Sequence, residues 1–520
     1  MKRTAKLLVI TAALGLASPA TAEPGDFPGI DDPKLAKAIE EAANRPQRRY
    51  CAELAPLWAE AVKRSKSPPA GLMLMSANTN VLCAIEEERY EDASSLIVRT
   101  EAKFGQQSFF DRLALALHAH LQELDLAVAR VGAIAQKDQG AALAETDPVM
   151  LFQLNSSLVR AKRADLREAM WSAIKASPVF PELDPDVRGG TAINLLGVKA
   201  EMASLTPADA ALLDLLTNSS AYAGMLADRR YAAIWPLMEE RAGDGLARLI
   251  DADVKLNTER YEASPDDGRR LSNLGYALLQ AGKISELIDL TARYREKDFD
   301  YSQLTEDGTW IVNYMAIALR AAGRQKEGIA ALEGLASVDP DAHSWVVNYV
   351  INHAIALGED NQHAAALKAL DRAQQVADEH GSAYARALVA GQRACSHNKL
   401  GHADQVPEQI AVLEGLRADA PSAVIGYAMC AGRDDLAIAW AREALAKESS
   451  RKTMIGILQP AYMRDKPTSV TDQEPYRLLA KSPELASEFE KVARVVPERF
   501  APLGGRLPIV PSVGATDLAR

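Results

Sequence analysis

The residues of this chain that could do chemistry fall into three groups. Cysteines stand at Cys51, Cys83, Cys395 and Cys430. Histidines pair at His118 and His120, and again in Cys395-Ser396-His397 with His402. The stretch Trp310-Ile311-Val312-Asn313-Tyr314 returns 35 residues later as Trp345-Val346-Val347-Asn348-Tyr349. The strong catalytic signatures are missing: His-Glu-x-x-His, Gly-x4-Gly-Lys-Ser/Thr, Gly-x-Ser-x-Gly, Gly-x-Gly-x-x-Gly after a strand, and Cys-x-x-Cys. The sequence thus offers no catalytic residue and no cofactor motif, although catalytic groups can converge from distant helices. His118 and His120 point about 200° apart on a helix and cannot share a metal ion. Cys395, His397 and His402 resemble a ligand cluster more closely, but Cys395 has a better use in a disulfide, so no metal site is assigned.

Four cysteines permit three pairings, and spacing ranks them. Cys51 and Cys83 lie almost symmetrically about the breaker Ser67-Pro68-Pro69, so a hairpin folded there sets them opposite each other. Cys395 and Cys430 are 35 residues apart, which places them on the first helices of consecutive hairpins. Each bridge would close a loop of about 30 to 35 residues and contribute roughly 3 to 4 kcal/mol in the chain-entropy model. Four buried free thiols are the rival reading.

The elements that must position these residues begin after a leader. Lys2, Arg3 and Lys6 precede the apolar run Leu7 to Ala17, and Ala20-Thr21-Ala22 has the small-x-small form of a signal-peptidase site. The expectation is a signal peptide, 1–22, cleaved after Ala22, and a periplasmic location with secretion as the alternative. No later run reaches the roughly 20 apolar residues of a membrane helix, so no membrane insertion is expected. Losing Lys2, Arg3 and Lys6 with the leader takes the formal charge from −11 to −14. A surface so acidic argues against a nucleic-acid partner, whose binding needs Lys and Arg on phosphates.

Apolar residues recur at three- and four-residue steps through most of the chain, the helical period, and sustained two-residue alternation is nearly absent. Helices are expected over Asp32 to Ala43, Tyr50 to Arg64, Leu72 to Glu87, Arg89 to Phe104, Phe109 to Leu121, Leu124 to Gln136, Val149 to Arg160, Ala164 to Ala176 and Thr191 to Ala203. Pro178, Pro181 and Pro185 break the series, and Arg229 to Trp235 supplies a further helix face. Ser482 is set to cap a helix from Pro483 to Val495. The stretch after Pro497 reads as loop, either folded back over the final hairpin as a cap or disordered.

Leu271-x2-Leu274-Gly275-x2-Leu278 is followed by Gly282, and Val312-x2-Met315-Ala316-x2-Leu319 by Gly328-x3-Leu332 and Pro340. These spacings resemble those of tetratricopeptide repeats, helical hairpins with a period of about 34 residues that bury their apolar faces only by stacking. The resemblance is strongest over Ser264 to Pro340 and weaker on to Glu448. Candidate turn glycines at 282, 323, 358, 401 and 432 are spaced by 41, 35, 43 and 31, so the units are degenerate. The expected scheme is a signal peptide at 1–22, a leader with a short helix at 23–45, degenerate hairpins at 46–263, tetratricopeptide-like repeats at 264–460 and a cap with a loop-like tail at 461–520. The fold class is an all-α solenoid of stacked antiparallel helical hairpins.

In the register this resemblance implies, Trp310, Asn313, Ile317, Arg320, Trp345, Asn348 and Asn352 lie on the groove-facing side of first helices. There an Asn would hold both polar groups of a peptide backbone and Trp would supply anchoring area. In the competing reading the tryptophans pack between hairpins and the asparagines bond across helices. The resemblance implies a non-catalytic scaffold that binds an unidentified protein or peptide of the cell envelope. An envelope hydrolase or carbohydrate-acting enzyme of helical fold, and an adaptor that buries its groove on dimerisation, are the alternatives.

Overall fold

A computed structural model describes residues 30–45, 49–106, 108–296, 298–469 and 474–512. The expected leader at 1–22 lies outside them. The described residues fold as helical hairpins in two compact units, Met1–Ser204 and Leu205–Arg520. That division falls inside the 46–263 segment of the sequence scheme.

In the first unit, Asp32 caps α1 (Pro33–Ala43) by accepting from the Lys34 and Leu35 amides, groups that the helix itself leaves unpaired. A π turn over Tyr50–Leu54 runs into α2 (Ala55–Arg64). There follow α3 (Ala70–Glu86), α4 (Tyr90–Phe104), α5 (Ser108–His120), α6 (Leu124–Gln136), the four-residue α7 (Ala141–Ala144), α8 (Pro148–Arg160), α9 (Ala164–Lys175) and α10 (Pro185–Glu201). Pro185 opens α10 rather than standing outside it, because a first-turn proline sacrifices no helical hydrogen bond. α3 packs on α4, α5 on α6, α6 on α9 and α9 on α10. Cys51 is bonded to Cys83. The fully buried Asp111 accepts from Arg130 at 3.0 Å and Lys137 at 3.2 Å, while Arg130 also pairs with Glu101 at 2.7 Å. A buried carboxylate needs such partners to offset its lost hydration.

The second unit opens with a 3-10 stretch, Pro207–Leu215, then α11 (Ser219–Ala227), a 3-10 stretch over Arg229–Ile234, α12 (Trp235–Ala242) and α13 (Ala247–Ala263). The regular stack follows: α14 (Gly268–Gln280), α15 (Ile284–Leu290), α16 (Glu306–Ala321), α17 (Gln325–Ala336), α18 (Val346–Glu359), α19 (His363–His380), α20 (Ala383–Lys399), α21 (Val406–Leu416), α22 (Pro421–Cys430) and α23 (Asp434–Ala446). α24 (Glu448–Ile457), α25 (Arg477–Lys481) and α26 (Pro483–Val492) close the helical part. Asp267, Thr305 and Ser482 cap α14, α16 and α26 through their side chains. Successive hairpins stack in sequence order, first helix on first helix at α14 and α16, α18 and α20, and α20 and α22. Leu274, Ile311, Val312, Met315, Leu319, Leu332 and Tyr349 lie within one continuous core, and Cys395 on α20 is bonded to Cys430 on α22.

The unit also returns on itself. α26 packs against α23, where Arg442 and Glu488 pair at 2.6 Å, and α24 reaches α11. The Arg494 amide donates to Ala227 O at 2.8 Å, and its guanidinium lies 3.9 Å from the Trp235 ring centre while pairing with Glu239 at 2.8 Å. Beyond Pro497 the chain does not stay on the final hairpin. It runs back to α14, α16 and α18, where β2 (Pro508–Ile509) pairs in parallel with β1 (Thr468–Ser469).

One sequence expectation changes here. Gly282, Gly323, Gly401 and Gly432 take positive φ at hairpin turns, but Gly358 does not; it lies inside α18, and Asn361 at φ 61° makes that turn. Asparagine tolerates the left-handed region well enough to replace glycine there. Gly358 is small for another reason, since a Cβ would collide with the Gln392 carboxamide of α20. Turns at 282, 323, 361, 401 and 432 are spaced by 41, 38, 40 and 31. The 35-residue recurrence of Trp-x-x-Asn therefore does not mark equivalent positions. Trp310 lies within α16, whereas Trp345 precedes α18 as its N-cap.

Candidate functional site

The C-terminal ends of α14, α16 and α18 form a row, and that row carries buried polar groups. Arg320, on the last turn of α16, is 5% exposed; Gln325, which opens α17, is 3% exposed; Asp360, just past α18, is fully buried. Burying such groups is costly unless each is hydrogen-bonded, and each is. Arg320 donates to Glu359 at 2.7 Å, to Gln325 Oε1 at 3.2 Å and to Ser469 Oγ at 3.4 Å. Gln325 Nε2 donates to the backbone oxygens of Arg320 and Val510. Asp360 accepts from Gln362 Nε2 at 2.8 Å and from the Ser512 amide at 2.6 Å.

One turn or more back along the same helices stands a run of aromatic rings. Tyr276 is 5.5 Å from Tyr314, Tyr314 is 6.2 Å from Trp310, Trp310 is 6.1 Å from Tyr349 and Tyr349 is 5.7 Å from Trp345, centre to centre. The Tyr276 hydroxyl donates to Asp465, which also accepts from Ser220 Oγ at 3.0 Å. Burial, and then the charge of Asp465, push the Tyr314 phenol up to about 12 and raise Tyr276 as well. Thr309 Oγ1 and the Tyr349 hydroxyl share a hydrogen bond inside the core.

The seven residues of the expected groove thus divide. Arg320 reaches Ser469 of β1. Ile317 is half-buried against the α14–α20 core, and Asn348 is half-buried. Asn352 Nδ2 donates to Asn313 Oδ1 at 3.1 Å, a bond between α18 and α16. Trp310 is half-buried, and Trp345 is 6% exposed against the same core. Gln325 and Asp360 of the row, and Tyr276 of the aromatic run, were missed by sequence reasoning. Glutamine opening a second helix and aspartate closing a first one carry no periodic signal.

The other chemical groups are accounted for locally. His118 is buried and bonded to Glu123 at 2.7 Å, and His120 meets the Tyr90 ring edge-on. His397 and His402 place their Nδ1 atoms 3.4 Å apart, but Cys395 is bonded to Cys430 and is no thiolate ligand. Burial, followed by the neighbouring His402, lowers the His397 pKa. Asp341, Glu379 and His380 gather on the surface, all exposed. A cavity of about 270 Å³ between α21, α22, α23 and α24 has Trp440, Val424 and Ile425 in its wall. Its one carboxylate, Glu443, is held by Arg417 at 3.1 Å and by Lys447. Among the described residues no helix is long and apolar enough to cross a membrane.

No family model and no curated protein matches this chain. Among solved structures it is similar to the crystal structure of the APC/C hetero-tetramer Cut9-Hcn1, at 13% identity and a TM-score of 0.20, over 81% of this chain and 95% of that one. A likeness that loose carries no weight for fold or function, which rest on the chain's own geometry.

Proposed function

We propose that the second unit is a non-catalytic scaffold that binds extended protein segments along the C-terminal ends of α14, α16 and α18, and that it works in the cell envelope after export. The observation that carries this reading is the way the row treats the chain's own extended backbone. Gln325 donates to the Val510 carbonyl and Asp360 accepts from the Ser512 amide. These are bonds to groups that every peptide offers, so the row suits extended chain as a class of ligand. The helices that carry it are fixed by a common core, so little order is lost on binding. Two disulfides favour an oxidising compartment, in keeping with the leader expected at 1–22.

The test is site-specific photo-crosslinking in intact cells from Ile317 and from Glu359, with mapping of the captured peptide. Adducts with an extended segment of one envelope protein, lost when the probe is moved to the outward-facing Lys326, support the reading. Equal yields from all three positions, or none, remove it.

A further inference from the structure

We infer that the segment Leu507–Ser512 is an intramolecular stand-in for the ligand of this row, and that the ligand is an extended, proline-flanked apolar segment of another protein. The inference deepens the peptide-binding reading above and rests on it.

Leu507-Pro508-Ile509-Val510-Pro511-Ser512 has the form of a ligand. Ile509 and Pro511 are buried while Pro508, Val510 and Ser512 are exposed, the two-residue alternation of a strand lying on a surface. Its register with β1 pairs Thr468 with Pro508 and Ser469 with Ile509. The two prolines stiffen the segment in extended form and carry no amide, so little entropy is lost on docking and no donor is left unpaired at those positions. Sequence preference would come from the Ile509 side chain, 3% exposed, and from the Ser512 hydroxyl, which donates to Asp360 at 2.7 to 2.9 Å.

The contrast with α26 argues for an exchangeable segment. α26 is a permanent cover and buries Leu485 and Phe489 against its neighbours. Leu507–Ser512 meets instead two buried hydrogen-bonding side chains, Gln325 and Asp360, beside which Arg320 holds Ser469 of β1, and leaves Val510 50% exposed. The attachment just before it is close-fitted. A Cβ at Gly504 would run into the carbonyl of Leu279 at the end of α14, and one at Gly505 into the carbonyls of Arg464 and Tyr462. This fit anchors the chain at Gly504 and Gly505, so release of the residues after Arg506 from the row need not disturb the rest of the unit. An intramolecular segment competes at an effective concentration of the order of millimolar, so the full chain binds an outside peptide weakly.

The test uses a fluorescein-labelled peptide with the sequence of Leu503–Ser512 and anisotropy titration of three proteins: the full chain, a chain ending at Arg506, and the full chain with Gly504→Ala and Gly505→Ala. Helicity and cooperative melting are checked for each. Binding at least ten-fold tighter to either altered chain than to the full chain, lost with an Ile509→Asp peptide, is the expected result. Equal binding to all folded forms overturns the stand-in and leaves the peptide-binding reading standing. If the folded shortened chain binds no such peptide, the stand-in is overturned, and selection from a displayed library of extended peptides judges the reading itself. Binders lost on Gln325→Ala keep it, and no binders end it. Unfolding of both altered chains makes the segment a structural part and overturns the proposal.

Discussion

The carboxylate of Asp360 accepts from both the amide and the hydroxyl of Ser512, 152 residues further along the chain. It is fully buried, so the C-terminal segment supplies part of the hydrogen bonding that this charge needs. Asp360→Asn keeps the shape and removes one acceptor oxygen. The expected loss is about 1–3 kcal/mol in denaturant unfolding, with faster tryptic cleavage after Arg506. An unchanged cleavage rate would count against the contact.

Gly391 on α20 faces Tyr427 on α22, whose ring occupies the space a Cβ would take. Gly391→Ala is expected to destabilise by ~1–3 kcal/mol through overpacking, whereas the same change at Gly415, with open space around it, stabilises slightly or does nothing. Thermal melting of the two variants checks the register of the stack.

Both disulfides should be present in protein purified without reductant. Thiol titration before reduction is expected to find no free cysteine, and Cys395→Ser with Cys430→Ser to lower stability by roughly 3–4 kcal/mol. Two or more free thiols in the untreated protein would contradict the pairing.

Alkaline pH should loosen the aromatic row. Burial raises the phenols of Tyr276, Tyr314 and Tyr349 above their usual 10.0, and Asp465 adds to this at the first two. In the unfolded chain these groups lose their protons near pH 10, while the folded chain keeps them. Above that pH the unfolded state holds fewer protons, so stability falls as pH rises, by up to about 1.4 kcal/mol per pH unit per phenol. Urea midpoints between pH 8 and 11 should hold level and then drop, and Tyr276→Phe should make the drop shallower.

Helices were legible wherever the apolar period held, as over Asp32 to Ala43, and the start of α26 was legible from its capping side chain, Ser482. The cysteine pairing was legible for a related reason, because a proline breaker and a repeat length fix which helices face each other. Turns were legible only where glycine made them. In the first unit Glu88, Gln122, Lys162 and Ala203 take positive φ instead, at the modest cost of left-handed geometry for an ordinary residue, and nothing in the sequence marks them. Gly358 misled for the opposite reason, being small for the sake of Gln392 rather than for a turn. Arg320 could be assigned a face through the register of the repeat resemblance, and its guanidinium bonds Glu359, Gln325 and Ser469. Gln325 and Asp360 could not, since their role depends on where residues 503–512 lie, and an extended segment without period gives no sign of its destination.

The bond from Arg494 to Leu226 spans 268 positions, although the hairpins between them close over a few dozen. That separation makes self-assembly of the second unit a two-tempo event. Local pairs can form as the polypeptide is made or delivered, but the seam at Trp235 and Glu239 waits for nearly the whole remaining length, and its closure must overcome a large chain entropy. Until then α11 and α24 lack their mutual cover, and the apolar surface they share stays open to wrong partners.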